Sequence, residues 1–169
     1  MVDARPGVTT AGDGVVIRDM RRRHLRGVVS VENSSNPHPW SRRLFETELR
    51  QPAARTRVAV NPAGSVVGFG CLLVVGDEAH VTNVAVAPPM RRRGIGGLLL
   101  GDLLDAAAAE GVRAATLEVR RGNLAAQRLY AAHGFEIEAV RPRYYSDNAE
   151  DALIMWRRER RPGWGTPAP

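Results

Sequence analysis

At 169 residues with a hydrophobic fraction of 44%, the chain has the size and composition of one globular domain with an adequate core, and no apolar run reaches the roughly 18 residues of a membrane span. The net charge of +6 is carried by arginine alone, because the sequence contains no lysine, which removes phosphate-binding P-loops and every mechanism that needs a lysine amine. The single cysteine, Cys71, allows no intramolecular disulfide, reads as a small buried hydrophobe and fits a reducing cytoplasm.

In chain order, residues 1–13 are small, polar and irregular, without the apolar centre of a secretory signal, and predict a flexible N-terminus. A single domain is expected over 14–158, and a disordered tail over 159–169. Val15 to Asp19 suits a first strand. Arg21 to Glu32, with Leu25, Val28, Val29 and Val31, predicts an imperfect helix. Asn33 to Pro39 reads as a breaker cluster, after which Ser41 caps a second helix to about Arg50. Thr56 to Val60 and Ser65 to Val75 flank Asn61-Pro62-Ala63-Gly64, a hairpin signal. Glu78 to Ala87 is a further strand ended by Pro88-Pro89. A long helix is predicted from about Gly96 to Glu110, stopped by Gly111. Ala114 to Arg120 is a strand, Asn123 to His133 a helix stopped by Gly134, and two strands, about Phe135 to Tyr145 and Asp151 to Arg158, finish the domain. The order β-α-α-β-β-β-α-β-α-β-β implies an α/β (α+β) fold, a mixed sheet covered by helices.

Arg91-Arg92-Arg93-Gly94-Ile95-Gly96 stands between a Val-rich strand and the long apolar helix. Glycines allow close backbone approach, and a helix start offers N–H groups at the positive end of its dipole. With three arginines beside it, the stretch suits a strongly anionic group such as a pyrophosphate; by itself it reads equally as a solvated basic turn. A dinucleotide fingerprint fails, since Leu99 occupies the position of the third glycine and no acid stands at the ribose-binding distance.

Farther on, Leu117-Glu118-Val119-Arg120-Arg121-Gly122-Asn123 leads into Leu129-Tyr130 and Gly134-Phe135. A strand of period two sends Thr116, Glu118 and Arg120 to one face and Leu117 and Val119 to the other, which puts a carboxylate in mid-strand. Asn123 is a plausible helix N-cap. Tyr130, seven residues on, shares its helix face and reads either as core packing or as chemistry.

Together with Asn83-Val84-Ala85-Val86, Arg143-Tyr144-Tyr145 and Glu150-Asp151-Ala152, these residues resemble the GNAT N-acetyltransferase superfamily over roughly residues 80–157. Within it they resemble the ribosomal-protein-alanine (RimI-type) N-acetyltransferases. The resemblance implies a mixed, mostly antiparallel sheet of about seven strands with about four helices. It implies acetyl-CoA as cosubstrate and no metal; His24, His38, His80 and His133 show no ligand spacing either. Val84, Ala85 and Val86 would line the acetyl-pantetheine arm. Arg91, Arg92, Arg93, Gly94, Ile95, Gly96 and Gly97 would hold the pyrophosphate, and Asn123 would contact the cofactor. Glu118 would be the base and Tyr130 the acid.

The implied acceptor is a protein N-terminus, typically the alanine of a small-subunit ribosomal protein, walled by Trp40, Tyr144 and Tyr145. Trp40 reads equally as a staple on the second helix. Glu118 and Glu32 are the acids available to an incoming ammonium. Gly97 departs from the pattern, standing where many relatives carry a basic residue, and nothing in 33–39 sets a peptide preference. A GNAT enzyme acting on a small amine and a non-catalytic acetyl-CoA-binding, ribosome-associated module are the alternatives. No DNA or membrane partner is expected; the basicity leaves RNA contact open.

Overall fold

The computed structural model describes residues 12–158, so the terminal segments expected to be flexible lie, except for Gly12 and Asp13, outside the described residues. Seven strands and four α-helices are present among the described residues, the numbers expected. They fall into two compact units, one up to Val112 and one from Arg113 onward.

The first unit contains β1 (Val16–Asp19), α1 (Leu25–Ser35), α2 (Arg42–Arg50), β2 (Ala54–Val60), β3 (Val66–Val75), β4 (Glu78–Val86) and α3 (Ile95–Ala109). The four strands pair antiparallel in chain order, with Ile17 opposite Ala59, Val58 opposite Phe69 and Phe69 opposite Ala85. Alternation along the strands builds two separate cores. Val58, Val60, Phe69 and Cys71 pack with Leu25, Val28, Val31 and Phe45 of α1 and α2. Ile17, Ala59 and Val67 pack with Ile95 and Leu99 of α3. The α3 side of β3 carries glycine for a steric reason. A Cβ at Gly70 would stand 2.7 Å from Leu103 Cδ1, and one at Gly68 would stand 3.1 Å from Leu99 Cδ1. Glycine there lets α3 lie directly on the strand.

The hairpin signal forms as expected: Gly64 donates its N–H to Asn61 O at 2.9 Å, and the Asn61 side chain accepts from Ser65 N–H at the same distance. Ser41 caps α2 by accepting from Leu44 N–H at 3.3 Å. The expected helix over 21–32 starts as a 3-10 turn, Arg22–His24, and then runs as α1 past Glu32 to Ser35. The breaker cluster therefore begins three residues later than its composition suggests. Polar side chains fold back on the helix instead of ending it: Ser34 Oγ donates to Val31 O at 2.9 Å, and Asn36 Nδ2 donates to Glu32 Oε1 at 3.2 Å.

The second unit contains β5 (Ala114–Arg120), α4 (Leu124–Ala132), β6 (Glu136–Tyr145) and β7 (Glu150–Arg158). The order is β5-β7-β6, antiparallel throughout, with Glu118 opposite Ile154. Along β5, Ala115, Leu117 and Val119 are buried while Thr116, Glu118 and Arg120 are half-buried, the alternation expected of the strand. Gly134, at φ 83°, ends α4 in the left-handed region that glycine tolerates best. Among the described residues no helix is long and apolar enough to cross a membrane.

Candidate active site

The basic loop of the first unit is a built turn. Gly94 adopts φ 77° as the residue before α3, and an added Cβ would meet nothing within 4 Å, so the outer side of the turn is open. Arg92 holds φ 61°, a conformation that costs a non-glycine residue strain and marks a turn the rest of the unit enforces. Arg91 Nε donates to Val86 O at 3.0 Å, which ties the loop to the end of β4. Arg93 pairs with Asp13 at 2.9 Å, both side chains about half exposed, so water screens the pair and an incoming anion can compete for the guanidinium. Arg91, Arg92, Arg93 and Gly94 are all exposed. Guanidiniums next to the N-terminal turn of a helix form a donor set that suits a diphosphate.

Val84, Ala85 and Val86 lie half-buried on β4, opposite Gly70, Phe69 and Gly68. Just before them the β3–β4 register slips: Cys71 faces Asn83 and Leu72 faces Val81, leaving Thr82 as the extra residue of a bulge. The bulge turns Asn83 toward α1, and its Nδ2 donates to Glu32 Oε1 at 3.3 Å.

Glu32, one of the two acids the sequence made available to an incoming ammonium, is taken up by the fold instead. Its side chain is fully buried at 0% exposure. Oε1 takes three hydrogen bonds, from Asn83 Nδ2, Asn36 Nδ2 and, at 3.0 Å, the backbone N–H of Trp40, while Oε2 is buried without a hydrogen-bond partner. A carboxylate so placed ties the α1–α2 connector to β4. Glu32→Ala is expected to lower unfolding stability by about 3 kcal/mol, because it strands three donors that shared a charged acceptor. Glu32→Gln, which keeps an acceptor oxygen, should lose less. Urea denaturation of both variants checks this, and a Glu32→Ala midpoint equal to the parent's would refute it.

Trp40 is placed by the same connector. It immediately precedes the Ser41 cap, and its ring lies 5.4 Å from that of Phe45, with a 48° tilt. That is the hydrophobic staple of α2, so the packing reading of Trp40 is realised. Nearby Cys71 is buried; burial first, then the charges of Glu48 and Glu32, push its thiol up, which suits an inert core residue.

In the second unit Glu118 is partly covered, its side chain 20% exposed, and Arg141 Nη1 lies 3.8 Å from its Oε1. Tyr130 is the buried residue of α4, with its ring 6.0 Å from Phe135. Burial first, then Tyr145, push its phenol up to about 12. Asn123 caps α4 as its sequence position suggested, its Oδ1 accepting from Ala126 N–H at 3.1 Å. The cap engages the carbonyl oxygen of the side chain, and the residue is exposed.

Tyr144 and Tyr145 meet edge to face at 5.1 Å. The Arg120 guanidinium stacks 3.8 Å from the Tyr145 ring centroid, and that of Arg141 lies 5.7 Å from Tyr144. Sequence reasoning assigned no role to Arg120 or Arg141. Their signal was the same-face spacing of Arg120 with Glu118, which gains meaning only once β6 and β7 are in place. Among the described residues, no group of three or more His, Cys, Asp or Glu could hold a metal ion.

Residues 25–135 match the model of the acetyltransferase (GNAT) family. The chain is 34% identical over 140 residues to a putative [ribosomal protein bS18]-alanine N-acetyltransferase of Bacillus subtilis, covering 83% of this chain and 93% of that one. It is 34% identical over 141 residues to the [ribosomal protein bS18]-alanine N-acetyltransferase of Escherichia coli, covering 82% of this chain and 94% of the relative. The crystal structure of the ribosomal-protein-S18-alanine N-acetyltransferase from Escherichia coli superposes with a TM-score of 0.79 at 31% identity, covering 91% of this chain and 99% of the other.

Proposed function

Since this chain belongs to the GNAT acetyltransferase family, we propose that it transfers the acetyl group of acetyl-CoA to the N-terminal amine of a protein, with the N-terminal alanine of a ribosomal protein of the bS18 type as its acceptor. The observation that carries the reading is the near full-length match to relatives named for that reaction. The exposed arginine–glycine turn, the mid-strand carboxylate Glu118 and the buried phenol Tyr130 supply chemistry that agrees with it. The site of action in this reading is the cytoplasm, where ribosomal proteins are made.

In this reading, residues Arg91 to Gly97 grip the pyrophosphate, the backbone of Val84, Ala85 and Val86 aligns the acetyl-pantetheine arm, and Asn123 offers its side-chain amide to the cosubstrate. An N-terminal amine has a pKa of about 7.7–8.0, so part of it is neutral near pH 7 and a carboxylate base suffices. Glu118 accepts the proton lost by the nitrogen as it attacks the thioester carbonyl, and a backbone N–H of 84–86 supports the oxyanion. Tyr130, its phenol held protonated, donates to the departing CoA sulfur. Trp40, Tyr144 and Tyr145 wall the acceptor.

Thiol release from acetyl-CoA, followed in parallel with Ala-starting peptides, peptides with an internal lysine only and blocked N-termini, and polyamines, tests the assignment. Turnover is expected with the Ala-starting peptides. Turnover confined to polyamines would replace this reading with a small-amine acetyltransferase, and acetyl-CoA binding without turnover on any acceptor would favour a non-catalytic module.

A further inference from the structure

Between Arg141 and Tyr145 the end of β6 leaves the regular strand ladder. Arg141 faces Ala152, yet the next pairing joins Tyr145 to Glu150, so four steps along β6 are matched by two along β7 (145 − 141 against 152 − 150). Within this irregularity Arg143 takes φ 51°, and Tyr144 is 46% exposed. Ladder hydrogen bonds alone leave such a segment free to choose among arrangements.

The Arg143 N–H is tethered to β7 by donating to Asp151 Oδ1 at 3.0 Å, whereas Tyr145 and the turn after it are held from β5. Arg120 lies two residues from Glu118 on the same face of that strand, and its side chain is only 24% exposed. Its guanidinium stacks on Tyr145 and donates to three partners beyond it: Asp147 Oδ1 at 3.1 Å, Glu150 Oε2 at 3.2 Å and Asn148 Oδ1 at 3.3 Å. Burial would lower the Arg120 pKa, but the hydrogen bonds and charges of Asp147 and Glu150 outweigh it and raise it, so the cation is secure. Glu150 Oε1 in turn accepts Gly122 N–H at 2.8 Å, closing the turn back onto the end of β5. A planar fork can stack on a ring and bond several acceptors in its plane at once; an ammonium cannot.

We propose that Arg120 is a positioning residue for acceptor binding: by clamping Tyr145 and the 146–149 turn it sets the tyrosine wall in register with Glu118, so that one strand carries both the base and the anchor of the acceptor site. This rests on the N-terminal acetyltransferase reading above. Arg120 acts through Tyr145 and takes no part in proton transfer. Its loss therefore weakens peptide binding and spares the chemical step.

Steady-state kinetics of the full chain with an Ala-starting peptide test this in the parent, Arg120→Gln, Arg120→Lys and Asp147→Asn. Arg120→Gln is expected to raise the peptide KM about tenfold, or ~1.4 kcal/mol. Its kcat should stay within about threefold of the parent, and its acetyl-CoA KM should not change. Arg120→Lys, which keeps the charge but not the fork, and Asp147→Asn, which weakens one arm of the clamp, should give smaller rises. An unchanged peptide KM in Arg120→Gln, or a fall in kcat with KM unchanged, overturns the proposal. If Arg120→Gln is unfolded at the assay temperature, the other two variants decide, and parental peptide KM values in both overturn it. Failure of the parent to acetylate the peptide overturns the substrate reading itself, a result distinct from any difference among variants.

Discussion

Tyr130→Phe is expected to lower turnover by about 10²–10⁴-fold, the usual worth of a positioned general acid, while leaving acetyl-CoA affinity nearly intact. The hydroxyl is the only group removed, and the ring keeps its packing against Phe135, so the variant should fold as the parent does. Because burial first, then Tyr145, push the phenol up to about 12, Tyr130 keeps its proton through the whole practical assay range. The parent's pH–rate profile should therefore show no falling limb from this group between about pH 6 and 10. The same shift limits what Tyr130 can do. A phenol held above the ordinary tyrosine range is a weaker acid than a thiol, so full proton transfer to a departing thiolate is uphill. In the proposed mechanism Tyr130 offers a hydrogen bond to the leaving sulfur as charge develops, and complete transfer lags behind bond cleavage. Isothermal titration with CoA, together with single-turnover rates, checks both halves, and parental turnover in Tyr130→Phe would remove the residue from the mechanism.

Glu118→Gln should fall by about 10²-fold or more in kcat/KM near pH 7, and magnitudes indicate why. For an amine of pKa 7.7–8.0, about a tenth or more is already neutral at pH 7, so removing the ammonium proton is worth at most about tenfold. In the proposed mechanism the larger share comes from accepting the proton that leaves nitrogen during attack on the carbonyl. The gap between parent and variant should accordingly narrow by less than about tenfold between pH 7 and 9 and then persist. A gap that closes completely at high pH would reduce Glu118 to a simple deprotonating group. The Arg141–Glu118 pair, with Arg141 58% exposed, contributes little to stability.

The order of strands and helices was legible in the sequence because local signals punctuate it: Ser41 and Asn123 cap helices, Gly111 and Gly134 end them, and Asn61 to Gly64 close a hairpin. The placement of Glu118 followed from the same logic, since a period of two fixes the face of a strand residue before any neighbour is known. Composition misled at Asn33 to Ser35, where polar residues that usually end helices continue α1, Ser34 bonding back to Val31 O and Ser35 reaching Val86 O on β4. The burial of Glu32 was hidden for a related reason. A carboxylate near the end of a helix looks solvent-facing until a strand bulge brings Asn83, and a connector brings the Trp40 amide, onto its oxygen.

The sequence by itself thus determined the elements, the open cationic turn before α3, and a carboxylate in mid-strand followed by a helix bearing a phenol. All of these depend on residues at most a dozen positions apart. Only the tertiary structure decided which charges are buried as fasteners and which stay accessible, and it joined Arg120 to Tyr145, Asp147 and Glu150 across as many as 30 residues. Caps, turns and periodicity are local and fix conformation directly, whereas a side-chain clamp depends on strand register, and here that register passes through a two-residue irregularity set by packing, which no local pattern reveals.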